Sequence, residues 1–289
     1  MTRYGRWCWQ SIVALIAITA CLGASYSVEA QNFKVIAPPI NGAQVKVLGG
    51  QVATILRNAA APSAAEMKQL DDFFKGALYP SMTNIDPEAL GQLATKREQL
   101  FQRYINTAKS QAARDHLNTM TLQVMGSIAK GPYHPAVRYN AALILGQIDA
   151  QAGVKPLPAG TEALLSLLEN EAFNKLTVPT AVKVGAIIGL QRHVRLGVDP
   201  ALGERITKAA LAVANREELP EDASAKAYGW VRRQAAKVLA KQFEKGLTPP
   251  VYESFVRLIA DEKSDLDDRC AVAQLLTPDM FAGAKDLDH

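Results

Sequence analysis

Four times along this 289-residue chain a basic residue is followed by the same two turns of helix: Val137-Arg138, Val182-Lys183, Val231-Arg232 and Asp268-Arg269. Three residues after each base come Ala141, Ala186, Ala235 and Val272, and four after come Ala142, Ile187, Ala236 and Ala273. Seven after come Leu145, Leu190, Leu239 and Leu276. Residues at these offsets share one helix face, so the template places small side chains where a neighbour must come close and a leucine where the interior must be filled. The bases are 45, 49 and 37 residues apart. That spacing brackets the period of about 40 to 47 residues of solenoids built from paired helices.

Each template helix has a helical partner before it: Ala112 to Lys130, Thr161 to Asn170, Pro200 to Ala214 and Pro250 to Ala260. One repeat is therefore a helical hairpin whose apolar faces need a neighbour, and hairpins stack to share a core. Further helix starts are written locally. Ser63-Ala64-Ala65-Glu66 is a capping box, and Asp86-Pro87-Glu88 opens an apolar stripe that runs towards Ile105. Ala and Leu abound, aromatics make up 7%, and no alternating strand is legible after the leader. The chain is expected to be all-α.

Segments such as HPAVRYNAALILG, from His134 to Gly146, resemble the HEAT repeat of the armadillo-like superfamily. The resemblance covers about residues 110–276 and implies an α-α superhelix. It also implies that the early bases, Arg138, Lys183, Arg232 and Arg269, form a structural ladder with acids in the turns between helices. Glu221 and Asp222 precede Arg232, and Asp261, Asp265 and Asp267 precede Arg269. The turn before Arg138 holds no acid, so its partner must be a backbone carbonyl or a neighbouring repeat. Such a partner must offset the cost of a cation at the positive end of its own helix.

Residues 1–30 read as a signal peptide. Arg3 and Arg6 precede a short apolar run from Ser11 to Ala20, and Val28-Glu29-Ala30 is a small-residue cleavage site. A competing reading is a lipobox at Ile18-Thr19-Ala20-Cys21, with lipidation of Cys21. Residues 31–62, with Pro38-Pro39, Asn41-Gly42 and Gly49-Gly50, are expected to be a loosely ordered lead-in. A short helix near residues 51–58 could dock on the body. Residues 63–108 form an N-terminal helical cap, and 109–289 carry the repeats. The net charge of +4, lowered by one when Arg3, Arg6 and Glu29 leave, lacks the concentrated basic face of a nucleic-acid binder.

Catalytic signatures are absent from the sequence. His116, His134, His193 and His289 lie far apart, and no metal-ligand spacing, nucleophile elbow, phosphate loop or dinucleotide fingerprint occurs. No catalytic residue, metal or cofactor is assigned. The acidic run from Asp261 to Asp268 reads as a solvated turn rather than a calcium loop. Residues 191–195 (QRHVR) suit the negative end of a helix, and Cys270 reads as a small buried residue. Trp230, with Arg233, Lys237 and Lys241 four residues apart, forms a candidate partner-binding face together with Tyr139 and Arg192.

These readings describe an exported, periplasmic or secreted, non-enzymatic scaffold that holds another macromolecule on a concave helical face. A protein is the expected partner, with an acidic peptide or polyanionic sugar as variants. Nucleic acid is not expected, and membrane contact would come only through a lipid on Cys21. The alternatives are an extracytoplasmic enzyme with an unrecognised site, which a buried histidine–carboxylate cluster would support, and a self-associating envelope component.

Overall fold

In a computed structural model the chain is described over residues 32–281. The expected signal peptide, its cleavage site and Cys21 lie outside the described residues. Residues 34–281 belong to one compact unit. It is predominantly helical, about 68% helix with a few short strands, and neighbouring helices pack against one another.

The lead-in differs from expectation. An extended stretch lies along the body, where Lys34 N–H donates to the Pro132 carbonyl (2.8 Å) and Ile36 N–H to the Thr83 hydroxyl (2.9 Å). Helix α1, Gly42–Arg57, then opens with an Asn41–Gln44 capping box and buries Val52, Ala53, Ile55 and Leu56. Gly49 and Gly50 lie inside it. Each costs helix propensity, but at Gly49 a Cβ would come 3.3 Å from the Phe73 ring, so the missing side chain lets α1 approach its neighbour.

Helix α2, Ala64–Phe73, begins at the Ser63 capping box and runs through a π-turn at Phe74–Leu78. The expected single helix after Asp86 is instead broken into α3, Pro87–Gly91, and α4, Leu93–Gln99. A π-turn at Leu100–Tyr104 follows. These turns gather Phe73, Phe74, Tyr79 and Tyr104, with ring centroids 5.3–5.6 Å apart in tilted and edge-on pairs.

Four helix pairs follow. Unit I holds α5, Gln111–Lys130, and α6, Pro135–Leu145; unit II holds α7, Pro158–Glu169, and α8, Thr180–Leu196. Unit III holds α9, Pro200–Ala214, and α10, Ala225–Gln242; unit IV holds α11, Pro249–Ala260, and α12, Leu266–Ala273. Second helices pack in series, α6 on α8, α8 on α10 and α10 on α12, while first helices contact first helices. Leu145, Leu190 and Leu239 are fully buried. Leu276 departs from the template: α12 stops at Ala273, and Leu276 is half-buried in the turn beyond it.

Two antiparallel ladders that the sequence did not reveal lie in the connections. Strand β1, Asp149–Gln151, pairs with β2, Lys155–Pro156, between units I and II. Strand β3, Ala172–Phe173, pairs with β4, Leu176–Thr177, inside unit II. The second turns on Asn174 and Lys175, both at positive φ, as a two-residue hairpin requires. Ladders this short leave too little alternation to read. No helix among the described residues is long and apolar enough to cross a membrane.

Candidate interaction surface

The ladder bases reach backward rather than outward. Arg138 is 3% exposed; its Nε donates to the Ala129 carbonyl (2.9 Å) and its Nη1 to the Thr177 carbonyl of unit II (3.0 Å). Arg269 donates to the Ile259 carbonyl (2.7 Å), and Arg232 to the Arg216 carbonyl. Ala129 and Ile259 carry orphan carbonyls at the ends of α5 and α11, and Arg216 lies just past α9. Arg138 and Arg269 thus stand in the first turns of their own helices while closing the negative ends of their partner helices, which offsets the cost; Arg232, two turns into α10, closes the end of α9 in the same way without that cost. Lys183, the shorter base, pairs instead with Glu171 (2.8 Å), which Arg216 of unit III shares (3.1 Å).

The turn acids join units rather than serving their own base. Asp261 pairs with Arg232 of the preceding unit (3.3 Å), and Asp222 accepts from the N–H (2.7 Å) and hydroxyl (2.5 Å) of Thr180 at the start of α8. Asp261 is held below the usual carboxylate range by the Ser264 hydroxyl above all, with the Lys263 amide and the Arg232 charge adding to it against a cost of burial. Asp265 and Asp268 pair with Lys226 (3.8 Å) and Arg233 (2.9 Å) of unit III.

On α6, α8 and α10 the surface is made by the positions two before and one, five and nine after each base. On α6 and the turn after it these are Ala136, Tyr139, Leu143 and Gln147; on α8, Ala181, Val184, Ile188 and Arg192; on α10, Trp230, Arg233, Lys237 and Lys241. All are half-buried or exposed, while the residues between them are almost all buried. A spacing of three, four and four keeps one face outward. All six residues of the expected face fall on this strip. The apolar part, with Leu143 and Ile188, carries no signal of its own in the sequence, because apolar residues at helical spacing read as core.

The strip is less cationic than its sequence suggests. Arg233 is tied to Asp268, and Lys241 to Glu244 (2.5 Å). Arg192 grips both oxygens of Asp149 (2.7 and 2.6 Å) and reaches the Gly146 carbonyl (3.3 Å), so it braces units I and II rather than facing solvent as a free charge. Lys237 is exposed and takes part in no ion pair among the described residues.

Where α6 meets α8 the backbones almost touch. A Cβ on Gly189 would lie 2.9 Å from the Gly146 Cα and 2.7 Å from Leu164, and one on Gly185 would lie 3.0 Å from the Ala142 Cβ. Gly185 and Gly189, with Ala142 and Gly146, are small residues at four-residue spacing on facing helices. An open cleft between Leu143, Gln147, Ile188 and Arg195 lies above this crossing. Beneath it, Asn118 donates to the Asp149 carbonyl (2.8 Å), and Gly153 N–H to the Asp149 carboxylate (2.7 Å).

His193 lies in the same junction, fully buried, with Nδ1 2.9 Å from the Thr161 hydroxyl. Burial, helped by the neighbouring Arg192 charge, lowers its pKa to about 4. Its partner is a hydroxyl, and the Asp149 oxygens are taken up by Arg192 and Gly153. His116 forms a half-exposed pair with Asp71 (2.7 Å), and His134 caps α6 at Ala136. No group of three or more candidate metal ligands occurs among the described residues. Cys270, expected to be buried, is exposed, because no further unit covers its side of α12 among the described residues. Searches against protein-family models, curated proteins and solved structures return no match to this chain.

Proposed function

We propose that this chain is an extracytoplasmic, non-enzymatic scaffold of the HEAT-like class that holds another protein on the concave face of its second helices. The observation that carries the reading is the strip at template positions −2, +1, +5 and +9. It keeps solvent-reaching side chains in register across three successive helices and passes from apolar on α6 and α8 to basic on α10. A rigid, preformed surface of this kind binds with little ordering cost. With most of its cations already neutralised by Asp149, Asp268 and Glu244, the strip suits an acidic amphipathic segment of a protein better than a polyanionic sugar. Such a segment would lay its apolar side over Leu143 and Ile188 and its acids towards Lys237.

Export, by the leader described above, sets where that partner is met. A photo-crosslinking residue placed at Leu143 or Lys237 in the native cell should capture a defined partner, while one at Lys208 on the exposed side of α9 should not. Equal capture from both faces, or none from the strip, refutes the reading. Mass spectrometry of the mature protein should find Gln31 as its first residue, and a lipid-modified Cys21 would instead assign an anchor. Ile188→Glu should cut capture at least about tenfold, an effect of about 1.4 kcal/mol, with unchanged helicity. The triple replacement of Arg233, Lys237 and Lys241 is a poorer probe, because Arg233 also holds unit IV.

A further inference from the structure

Within units I to III, one flank of each second helix is covered by the second helix that follows. Four residues after the base, Ala142, Ile187 and Ala236 are 0%, 1% and 0% exposed. One residue after the base, Tyr139 lies over Gly185 and Arg233 pairs with Asp268; eight after, Gly146 meets Gly189 and Gln191 bonds Gln234. The same flank of α12 consists of Leu266, Cys270 and Ala273, and all three are exposed. Beside it, α11 turns Tyr252, Val256 and Ala260 outward at four-residue spacing. Phe281 meets the Tyr252 ring edge-on, with centroids 6.4 Å apart, but among the described residues Val256, Ala260 and the whole α12 stripe stay exposed. The outer face of a stacked array is ordinarily polar, and unit IV, the last unit among the described residues, presents small and apolar residues there.

The other end of the stack is closed. Helix α4 packs on α6, and Arg97 donates to Asn140 Oδ1 at 2.6 Å. Two copies therefore cannot continue head to tail, because the head that would receive the tail is already occupied. Tail against tail remains, and the charges fit it. Glu253 and Arg257, both exposed, flank Val256 on α11. When α11 crosses its own copy antiparallel near residue 255, each Glu253 meets Arg257 of the second copy. Helices α11 and α12 run antiparallel about the turn at 261–265, which puts residues 255 and 270 at the same level. The same two-fold axis then passes Cys270 and sets each Leu266 against the small Ala273 of the second copy.

We infer that this chain forms a closed two-fold homodimer through the exposed stripes of α11 and α12. The dimer would carry two copies of the interaction strip, one on each stack.

The test uses the full chain as the cell processes it. Light scattering should give the mass of two chains, and a short thiol-to-thiol crosslinker should yield a peptide joining Cys270 to Cys270, which can arise only between chains. Glu253→Arg and Arg257→Glu should each weaken dimerisation at least about tenfold without loss of circular dichroism. An equimolar mixture of the two variants should dimerise again, because the opposed charges are then restored, and a misfolded chain would not be rescued. A single-chain mass at high concentration, a dimer indifferent to both substitutions, or a mixture that fails to recover would each overturn the inference.

Discussion

Arg138 binds backward to Ala129 and forward to Thr177, so losing its head group strands the buried Ala129 carbonyl and unties unit I from unit II. Arg138→Met should cost about 2 kcal/mol, read from the urea midpoint, and Arg138→Lys should recover only part because an ammonium cannot fork to two carbonyls. His193 gives a pH signature. Its folded pKa of about 4 lies below the usual histidine value, so the native state favours the neutral ring. The stability tied to that neutrality is full above about pH 6.5 and is lost as pH falls towards 4, because the unfolded chain takes up the proton first. The loss should approach about 3 kcal/mol, and His193→Gln should flatten the melting profile over that window. Asp71, Glu171 and Asp261, whose pKa values are lowered from 3.8, 4.5 and 3.8, act mainly at the acid end of that window and below it, so the wild-type and His193→Gln profiles should run parallel there.

At the scale of helices, the α6–α8 crossing rests on backbone contact. Gly189→Ala raises helix propensity, yet its Cβ has no room against Gly146 and Leu164. The net cost should be about 1–3 kcal/mol in chemical denaturation, and a gain in stability would show that the helices can part cheaply. Helix starts were legible because their signals are local: the Ser63 capping box and the prolines opening α6, α9 and α11 act on the first turn alone. The breaks were not. Gly91, where α3 ends, is the one weak signal in the stripe; from Leu93 to Ile105 neither Gly nor Pro occurs, and it is the packing of Phe73 and Phe74 on Tyr104 that accompanies the π-turn. Gly49-Gly50 looked like a breaker and is helical because α1 docks there. The site divides the same way. The outward residues follow from counting along each template helix, whereas the Arg192–Asp149 clamp joins groups 43 residues apart, which no local pattern records.

Across the whole molecule one apolar core runs from α1 to Met280 and Phe281, joining the N-terminal helices to all four units. Tyr79 and Thr121 bond at 2.7 Å across the boundary between the N-terminal helices and unit I, so the two have no seam there. The four units are not equally supported. Unit I is flanked on both sides, and its contact with unit II is the tightest crossing in the fold, whereas α12 is short and has its last flank in water. In a stacked array the cost of opening a module is set mainly by its neighbours, so a module with one neighbour opens most often. Backbone amides should therefore exchange with deuterium fastest in Leu266–Ala273 and slowest near Gly146 and Gly189, in a graded series rather than as one block. The chain would then fray like a zip left open at one end, and a protease would find its first foothold beyond Gln242.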